Sequence, residues 1–327
     1  MGKNVLITGA AGFIGSHVAR YFASKYPDWK ISTIERLNYA SALERLVPVA
    51  SRLKIVLHDL RAPIPEYVRN QLGELDLVFH LAAETHVDRS CVDPTPFVES
   101  NILGTFNMLE FCRLYQPKLQ MFFQISTDEV YGPAPVGVDH TEEAPHRPSN
   151  VYSATKAAAE DLVYAYEHSM GVPVITTNTM NNIAPTQAVE KYIPRVIRAL
   201  VRGDLITVHG TPDNVGSRKY LHARDHASAL DFLMFNGKRG ERYNVVGAEE
   251  VSNLDVVRRI EGVLTDLGRR VEAKVKFQDF HLGRPGHDRR YSLDGSKMAG
   301  LGWTPPTSFD ETLREIVGWT LEHPEWL

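Results

Sequence analysis

The sequence predicts an α/β fold: a doubly wound parallel sheet with helices on both faces, followed by a smaller C-terminal α/β substrate lobe. Three observations carry this. Short apolar runs alternate with helix-period stretches through the first 180 residues, as crossover-connected parallel strands require. The earliest run feeds directly into a glycine-rich turn, Gly9-Ala10-Ala11-Gly12-Phe13-Ile14-Gly15. After about residue 181 the rhythm breaks into short strands, helices and Pro/Gly clusters.

In chain order, Val5–Thr8 reads as a buried strand and Phe13–Ser24 as the helix behind it. Ile31–Ile34, Leu53–His58, Leu75–Leu81 and Met121–Ser126 read as further strands. Phe97–Tyr115 and about Asn150 to Met170 carry long helical patterns, with Val172–Asn178 strand-like after them. Later strands fall at Ile206–His209, Tyr243–Val246 and Val271–Phe277, with helices around Arg195–Arg202, His226–Phe235 and Leu254–Leu267. The expected division is residues 1–180 and 181–327, with about 220–246 open to returning to the first unit.

Composition bounds the function. The chain has 327 residues, 43% hydrophobic and 23% charged, an ordinary globular mix. A net charge of −4 argues against a nucleic-acid partner. Cys91 and Cys112 have no metal-ligand spacing, which suggests a reducing compartment. His80, His86 and His287 do not make a metal set, and His80, ending an apolar strand, reads as a satisfied core histidine. The apolar start is too short for a signal peptide, Leu6 stands where myristoylation wants Ser or Thr, and no run is long enough to span a bilayer. The expectation is a cytoplasmic protein without a membrane partner.

The glycine turn follows a strand and opens a helix, which brings backbone N–H groups and a helix N-terminus against a pyrophosphate. Its spacing is G-x-x-G-x-x-G, so Gly9, Gly12, Phe13, Ile14 and Gly15 are candidate cofactor contacts. Glu35 stands at the end of the next strand, 20 residues past Gly15. An acid there binds ribose hydroxyls and repels a 2′-phosphate, which favours NAD over NADP, although Arg36 follows directly. Asp59 and Leu60, after the third strand, are candidates for the adenine side; a turn or cap aspartate is the equal alternative. This is a Rossmann-type arrangement.

Tyr152 and Lys156 share one helical face at (i, i+4) spacing. An ammonium beside a phenol favours the phenolate, so the pair is expected to lower the tyrosine's pKa and take a proton from a sugar hydroxyl. The plain alternative is a surface Tyr/Lys pair. In Thr127-Asp128-Glu129, after a buried strand, neighbouring carboxylates suit an acid and a base acting at adjacent carbons. Thr127 is expected to orient a hydroxyl toward Tyr152.

Together, Gly9–Gly15 and Tyr152-x-x-x-Lys156 resemble the extended short-chain dehydrogenases/reductases over the whole chain. Within them the chain resembles the nucleotide-sugar 4,6-dehydratases, those of dTDP-glucose foremost. Three stretches carry this: His80 to Asp88, the triplet Thr127-Asp128-Glu129, and the arginine-rich run from Arg284 to Tyr291. The resemblance implies oxidation at C4 of a hexose, loss of water across C5 and C6, and hydride return to C6, with NAD retained throughout. It implies cofactor contacts at Leu81, Ala82 and Ala83, besides Tyr152 and Lys156. It implies substrate contacts at Glu84, His86, Asn182, Lys191, Arg218 and Arg284, a nucleoside-diphosphate hexose as partner, and a homodimer built on the two long helices.

Four departures lie on the nucleotide side: Ile183 to Val189, His209, Ala248-Glu249, and the length of Gly210 to Ser217. They leave the base open among dTDP, UDP, CDP and others. A 4-epimerase or uronic acid decarboxylase would keep the glycine loop, Tyr152 and Lys156 without needing both Asp128 and Glu129. A non-catalytic NAD sensor would tend to lose the tyrosine or lysine.

Overall fold

A computed structural model describes residues 2–279 and 288–327. Thirteen strands are present among them: β1 (Asn4–Thr8), β2 (Lys30–Glu35), β3 (Leu53–Leu57), β4 (Leu77–His80), β5 (Met121–Thr127), β6 (Val174–Thr179), β7 (Asn181–Ile183), β8 (Leu205–Thr211), β9 (Asn214–Val215), β10 (Ser217–His222), β11 (Arg242–Val245), β12 (Glu250–Ser252) and β13 (Lys274–Gln278). Seven form one parallel sheet in the order β11-β6-β5-β4-β1-β2-β3.

The sheet strands are apolar on both sides because both faces are covered. Val5 and Ile7 of β1 turn to one face, with Phe79, Phe123 and the helices Phe13–Lys25 and Ala223–Asn236. Leu6, between them, turns to the other face, with Phe122 and the helices Gly104–Tyr115 and Val151–Met170. Phe22, Phe79 and Phe123 stack in series at 4.7 and 4.9 Å, geometry that adds to plain area burial.

After β6 the chain leaves the main sheet. β7, β10 and β12 make a small mixed sheet, and β8, β9 and β13 another. Ile197, Val208, Ile260 and Leu313 belong to a separate apolar core there. The chain returns at β11, which pairs with β6.

The pattern at Phe97–Tyr115 is not one continuous α-helix. Thr95–Phe97 is α-helical, Val98–Leu103 is a π-helical turn, and Gly104–Tyr115 resumes the α-helix. The wider turn directs Asn101 inward. It accepts the Glu84 amide at 2.8 Å, and its side-chain amide donates to the Glu84 carbonyl at 3.0 Å and to Thr155 at 2.9 Å. The bulge thereby fixes the backbone beside the cleft, a frequent use of such turns. No helix among the described residues is long and apolar enough to cross a membrane.

Candidate active site

In open parallel sheets, ligands bind beyond the carboxyl ends of the strands, where the strand order reverses. Here the order reverses between β1 and β4. A cleft of about 370 Å³ opens there. It is lined by the glycine loop, Glu35, Asp59 and Leu60, Leu81 to Glu84, Thr127 to Glu129, Tyr152, Lys156, Asn182 and Lys191. Most of the residues singled out in the sequence, distant along the chain, therefore share one cavity. Arg36, Asn38, Arg45 and Gln187 line it as well and are not among the sequence candidates; Arg36 enters there only as Glu35's neighbour, and Gln187 only within the stretch Ile183 to Val189.

The glycines are required by close approach. A Cβ on Gly15 would lie 2.2 Å from the Gly9 carbonyl oxygen, and one on Gly9, at φ 70°, would lie 2.9 Å from the Ala82 Cα. The Thr8 hydroxyl accepts the amides of Leu81 and Ala82 at 3.2 and 3.1 Å, so β1 and β4 hold the loop and the Leu81–Ala83 segment together. The helix Phe13–Lys25 begins at Gly12 without a side-chain cap, leaving first-turn N–H groups for an anion. Glu35 is buried, its Oε1 has no hydrogen-bond partner, and burial pushes its carboxyl up to about 7. A buried, unpaired acceptor beside an uncapped helix start suits the ribose and pyrophosphate of a dinucleotide.

The adjoining charges are paired. Arg36 donates to Glu84 at 2.6 Å and faces Asp59 at 3.9 Å. Asp59 accepts the Arg61 amide as a turn residue and forks with its guanidinium. The turn role and the place in the cleft coexist. Arg45 donates to the carbonyls of Ala11, Ala40 and Thr186, tying the glycine loop to the segment Ile183 to Val189. His80 is the core histidine expected, bonded to Thr8 at 2.9 Å and Thr105 at 3.1 Å.

Across the cleft, helix Val151–Met170 starts at Asn150 with a capping box to Ser153, which fixes where Tyr152 and Lys156 project. Both are buried. The expectation that Lys156 lowers the Tyr152 pKa is not met. The ammonium donates to the Ile125 carbonyl at 2.7 Å. The phenol is pushed up, first by burial and then by the negative charge of Glu129, with the Thr127 hydroxyl opposing. Burial pulls Lys156 down to about 8.

Thr127 ends β5 and donates to Asp128 Oδ1 at 2.9 Å, while Asp128 Oδ2 is buried without a partner. Burial pushes Asp128 up to about 6. Burial and the Asp128 charge push half-buried Glu129 up to about 7. Asn150, a residue the sequence suggested only as a helix start, donates to Glu129 Oε2 at 3.1 Å. The two carboxyls and the phenol thus form one group that favours neutral forms at a strand end.

The remaining candidates divide. Asn182 donates to Thr179 and Met180, leaving its buried Oδ1 unpartnered. Lys191 lines the cleft, and its charge lowers Glu129. The Glu84 carboxylate is taken by Arg36 and by Asn38 at 2.9 Å. His86 caps the helix Val87–Val92 and stands 3.9 Å from Glu190, outside the cleft lining. Arg218 also lies outside that lining, donating to the carbonyls of Ser217, Asp288 and Arg289 at 2.6 Å each. Arg284 lies outside the described residues.

Comparison with known proteins agrees with this arrangement. The chain is 38% identical to dTDP-glucose 4,6-dehydratase 1 of Escherichia coli K12, over 99% of this chain and 94% of that protein. It is 39% identical to a trifunctional UDP-glucose 4,6-dehydratase, 3,5-epimerase and reductase of Arabidopsis thaliana, over 99% of this chain but 48% of that protein, so it spans about half of that relative. The dTDP-glucose 4,6-dehydratase of Streptomyces venezuelae, solved with NAD bound, superposes with a TM-score of 0.87 at 34% identity, covering 98% of each chain. The model of the family described as GDP-mannose 4,6 dehydratase matches residues 6–316, and this chain belongs to that family.

Proposed function

We propose that this chain is an NAD-dependent nucleotide-sugar 4,6-dehydratase, a hydro-lyase whose preferred substrate is dTDP-glucose. The observation that carries the reading is the pair Asp128 and Glu129, with pKa values raised by burial, in the same cleft as Tyr152 and the glycine loop. Fold alone does not choose among reactions. A 4-epimerase needs the tyrosine and the cofactor but has no elimination for two carboxyls to serve.

The glycine loop, Glu35 and Leu81–Ala83 would hold NAD, which would supply a hydride acceptor and donor at its nicotinamide. Thr127 orients the C4 hydroxyl, and Tyr152 takes its proton. Lys156 provides positive charge behind that transfer and a contact to the cofactor. With C4 a ketone, the C5 proton is acidified. Glu129 removes it while Asp128 gives a proton to the departing C6 hydroxyl. Glu129 later returns a proton to C5. Asn182 and Lys191 meet the sugar and diphosphate, and Arg218 and Arg284 remain candidates for the diphosphate by resemblance, since a guanidinium fork suits it.

The protein acts as a homodimer. Leu103 and Phe106 are exposed, whereas Met108, Leu109, Val163 and Tyr166 pack beneath them on the sheet. Val98, Leu114, Tyr115 and Tyr164 extend the exposed apolar set on the same two helical segments, a face suited to a symmetric four-helix contact. Light scattering at micromolar concentration should give the dimer mass. A cytoplasmic site of action fits two cysteines that form no disulfide.

The test is a panel of hexose nucleotides followed by NMR without added cofactor. The 4-keto-6-deoxy product should appear fastest from dTDP-glucose. A C4 epimer carrying a C4 deuterium label unchanged would replace this reading with an epimerase.

A further inference from the structure

Glu160 is nearly inaccessible, 2% exposed, and the chemistry above does not use it. It follows Tyr152 and Lys156 at the same spacing on helix Val151–Met170, so the three lie on one face. A buried carboxylate is costly unless paired. Glu160 has one hydrogen-bond donor and two basic side chains around it, and its Oε2 accepts no hydrogen bond. Asn178 on β6 donates to Oε1 at 2.7 Å. Nε2 of His146, from the loop before the helix, and Nε of Arg242, on β11, each stand 3.3 Å from Oε2.

Two links run from this carboxylate toward the cleft. The Asn178 amide also donates to the Thr127 carbonyl at 3.2 Å, the strand end that presents the hydroxyl of Thr127 and the carboxyls after it. Glu160 is also the negative charge that acts on Lys156, opposing the downward pull of burial. Lys156 in turn faces His80 from β4, whose neutral ring adds no charge. Tyr131, Glu142 and Asp161 surround His146 and Arg242 on the far side.

We propose that Glu160 is a positioning residue for the redox centre: it backs Lys156 from the next turn of the same helix face, and through Asn178 it fixes the strand end carrying Thr127. The inference rests on the reading of Lys156 as part of that centre. Without Glu160 the burial of Lys156 is uncompensated, and the lysine loses its proton at a lower pH.

The test uses Glu160→Gln and Glu160→Asp. Because Glu160→Gln leaves Arg242 buried beside a neutral group, the double variant Glu160→Gln/Arg242→Gln is made with it. The pH dependence of the Lys156 Cε signal, followed by NMR on protein carrying 13C-labelled lysine, reads the lysine's titration without substrate. The midpoint should fall by at least about half a pH unit in the Gln variant and in the double variant. Glu160→Asp should restore it, and the alkaline limb of kcat should move with the midpoint. An unchanged midpoint in the folded Gln or double variant overturns the proposal, as does an equal fall in Glu160→Asp. A protein that shows the expected midpoint shift but makes no 4-keto-6-deoxy sugar fails as a dehydratase without touching this inference.

Discussion

The two walls of the cleft solve opposite problems. On the glycine-loop wall, most charged groups already have partners: Arg36 with Glu84, Arg61 with Asp59, and Arg45 hydrogen-bonded to three carbonyls. That wall is built for shape, and its exception is Glu35, the group proposed for the ribose. On the tyrosine wall, Asp128, Glu129, Tyr152 and Lys156 are all driven toward their neutral forms by burial. One wall is finished before a ligand arrives, and the other is poised for proton transfer. Perturbed groups gathered in a cleft are a signature of chemistry rather than of binding alone.

The largest effect should come from the poised wall. Tyr152→Phe barely changes volume but removes the acid/base at C4, so kcat should fall on the order of 10²–10⁴-fold with the melting temperature and retained NAD nearly unchanged. Residual turnover above that range would mean that another group takes the C4 proton.

A finer break separates the two carboxyls. Both carboxyls are raised by burial, and the Asp128 charge raises Glu129 further, so the pair favours holding a proton between them. The assigned roles require bound sugar to draw that proton toward Asp128, whose Oδ2 has no partner. Glu129→Gln should stop dehydration yet leave hydride exchange at C4, and Asp128→Asn should slow elimination less than Glu129→Gln. In heavy water the wild-type product should carry deuterium at C5. The reverse ranking of the two variants would exchange the roles.

On the shaped wall the comparable break is steric. Gly15→Ala brings a Cβ to 2.2 Å from the Gly9 carbonyl oxygen and 2.9 Å from the Ala10 Cα. Backbone must move, which should cost about 1–3 kcal/mol and release NAD on dialysis. A variant that melts like wild type and keeps its cofactor would show the loop to be slack.

How much of each wall could be read from sequence follows from the same contrast. The glycine loop, Glu35 and the sheet strands announce themselves through local spacing, because parallel strands buried on both faces must be apolar runs. The triplet Thr127 to Glu129 was legible for the same reason, starting at the end of such a strand, and Tyr152 with Lys156 through their (i, i+4) spacing on a helical pattern. The tuning was not. The Tyr152 shift depends on burial and on Glu129, and Lys156 turns to Ile125, none of which spacing reveals. The roles of Asn150 and Asn101 arise from tertiary pairing and from a π-helical turn. In the C-terminal lobe, strands as short as Asn214–Val215 and Glu250–Ser252 are defined by their partners, not their own pattern. The helix Phe309–Glu322 was missed although Ser308 and Glu311 form a capping box visible in sequence.

The smallest expected effect tests whether the poised wall costs stability. Glu129 has its folded pKa raised from 4.5 to about 7. A raised carboxyl contributes stability fully below its unfolded pKa and loses it as pH rises through the folded value. The window is therefore about pH 4.5 to 7, and above it wild type holds a carboxylate where burial disfavours one. Glu129→Gln is neutral throughout and can still accept from Asn150. It should match wild type near pH 5 and become more stable by about 1–2 kcal/mol at pH 8, less than the bare shift implies because Glu129 is half-buried and screened. Lys156 does not confuse the comparison, since its shift is present in both proteins. Melting curves at the two pH values decide it: a variant less stable than wild type at pH 8 would mean that Lys191 and Arg218 hold the Glu129 carboxylate more strongly than burial opposes it, and that this wall is paired like the other.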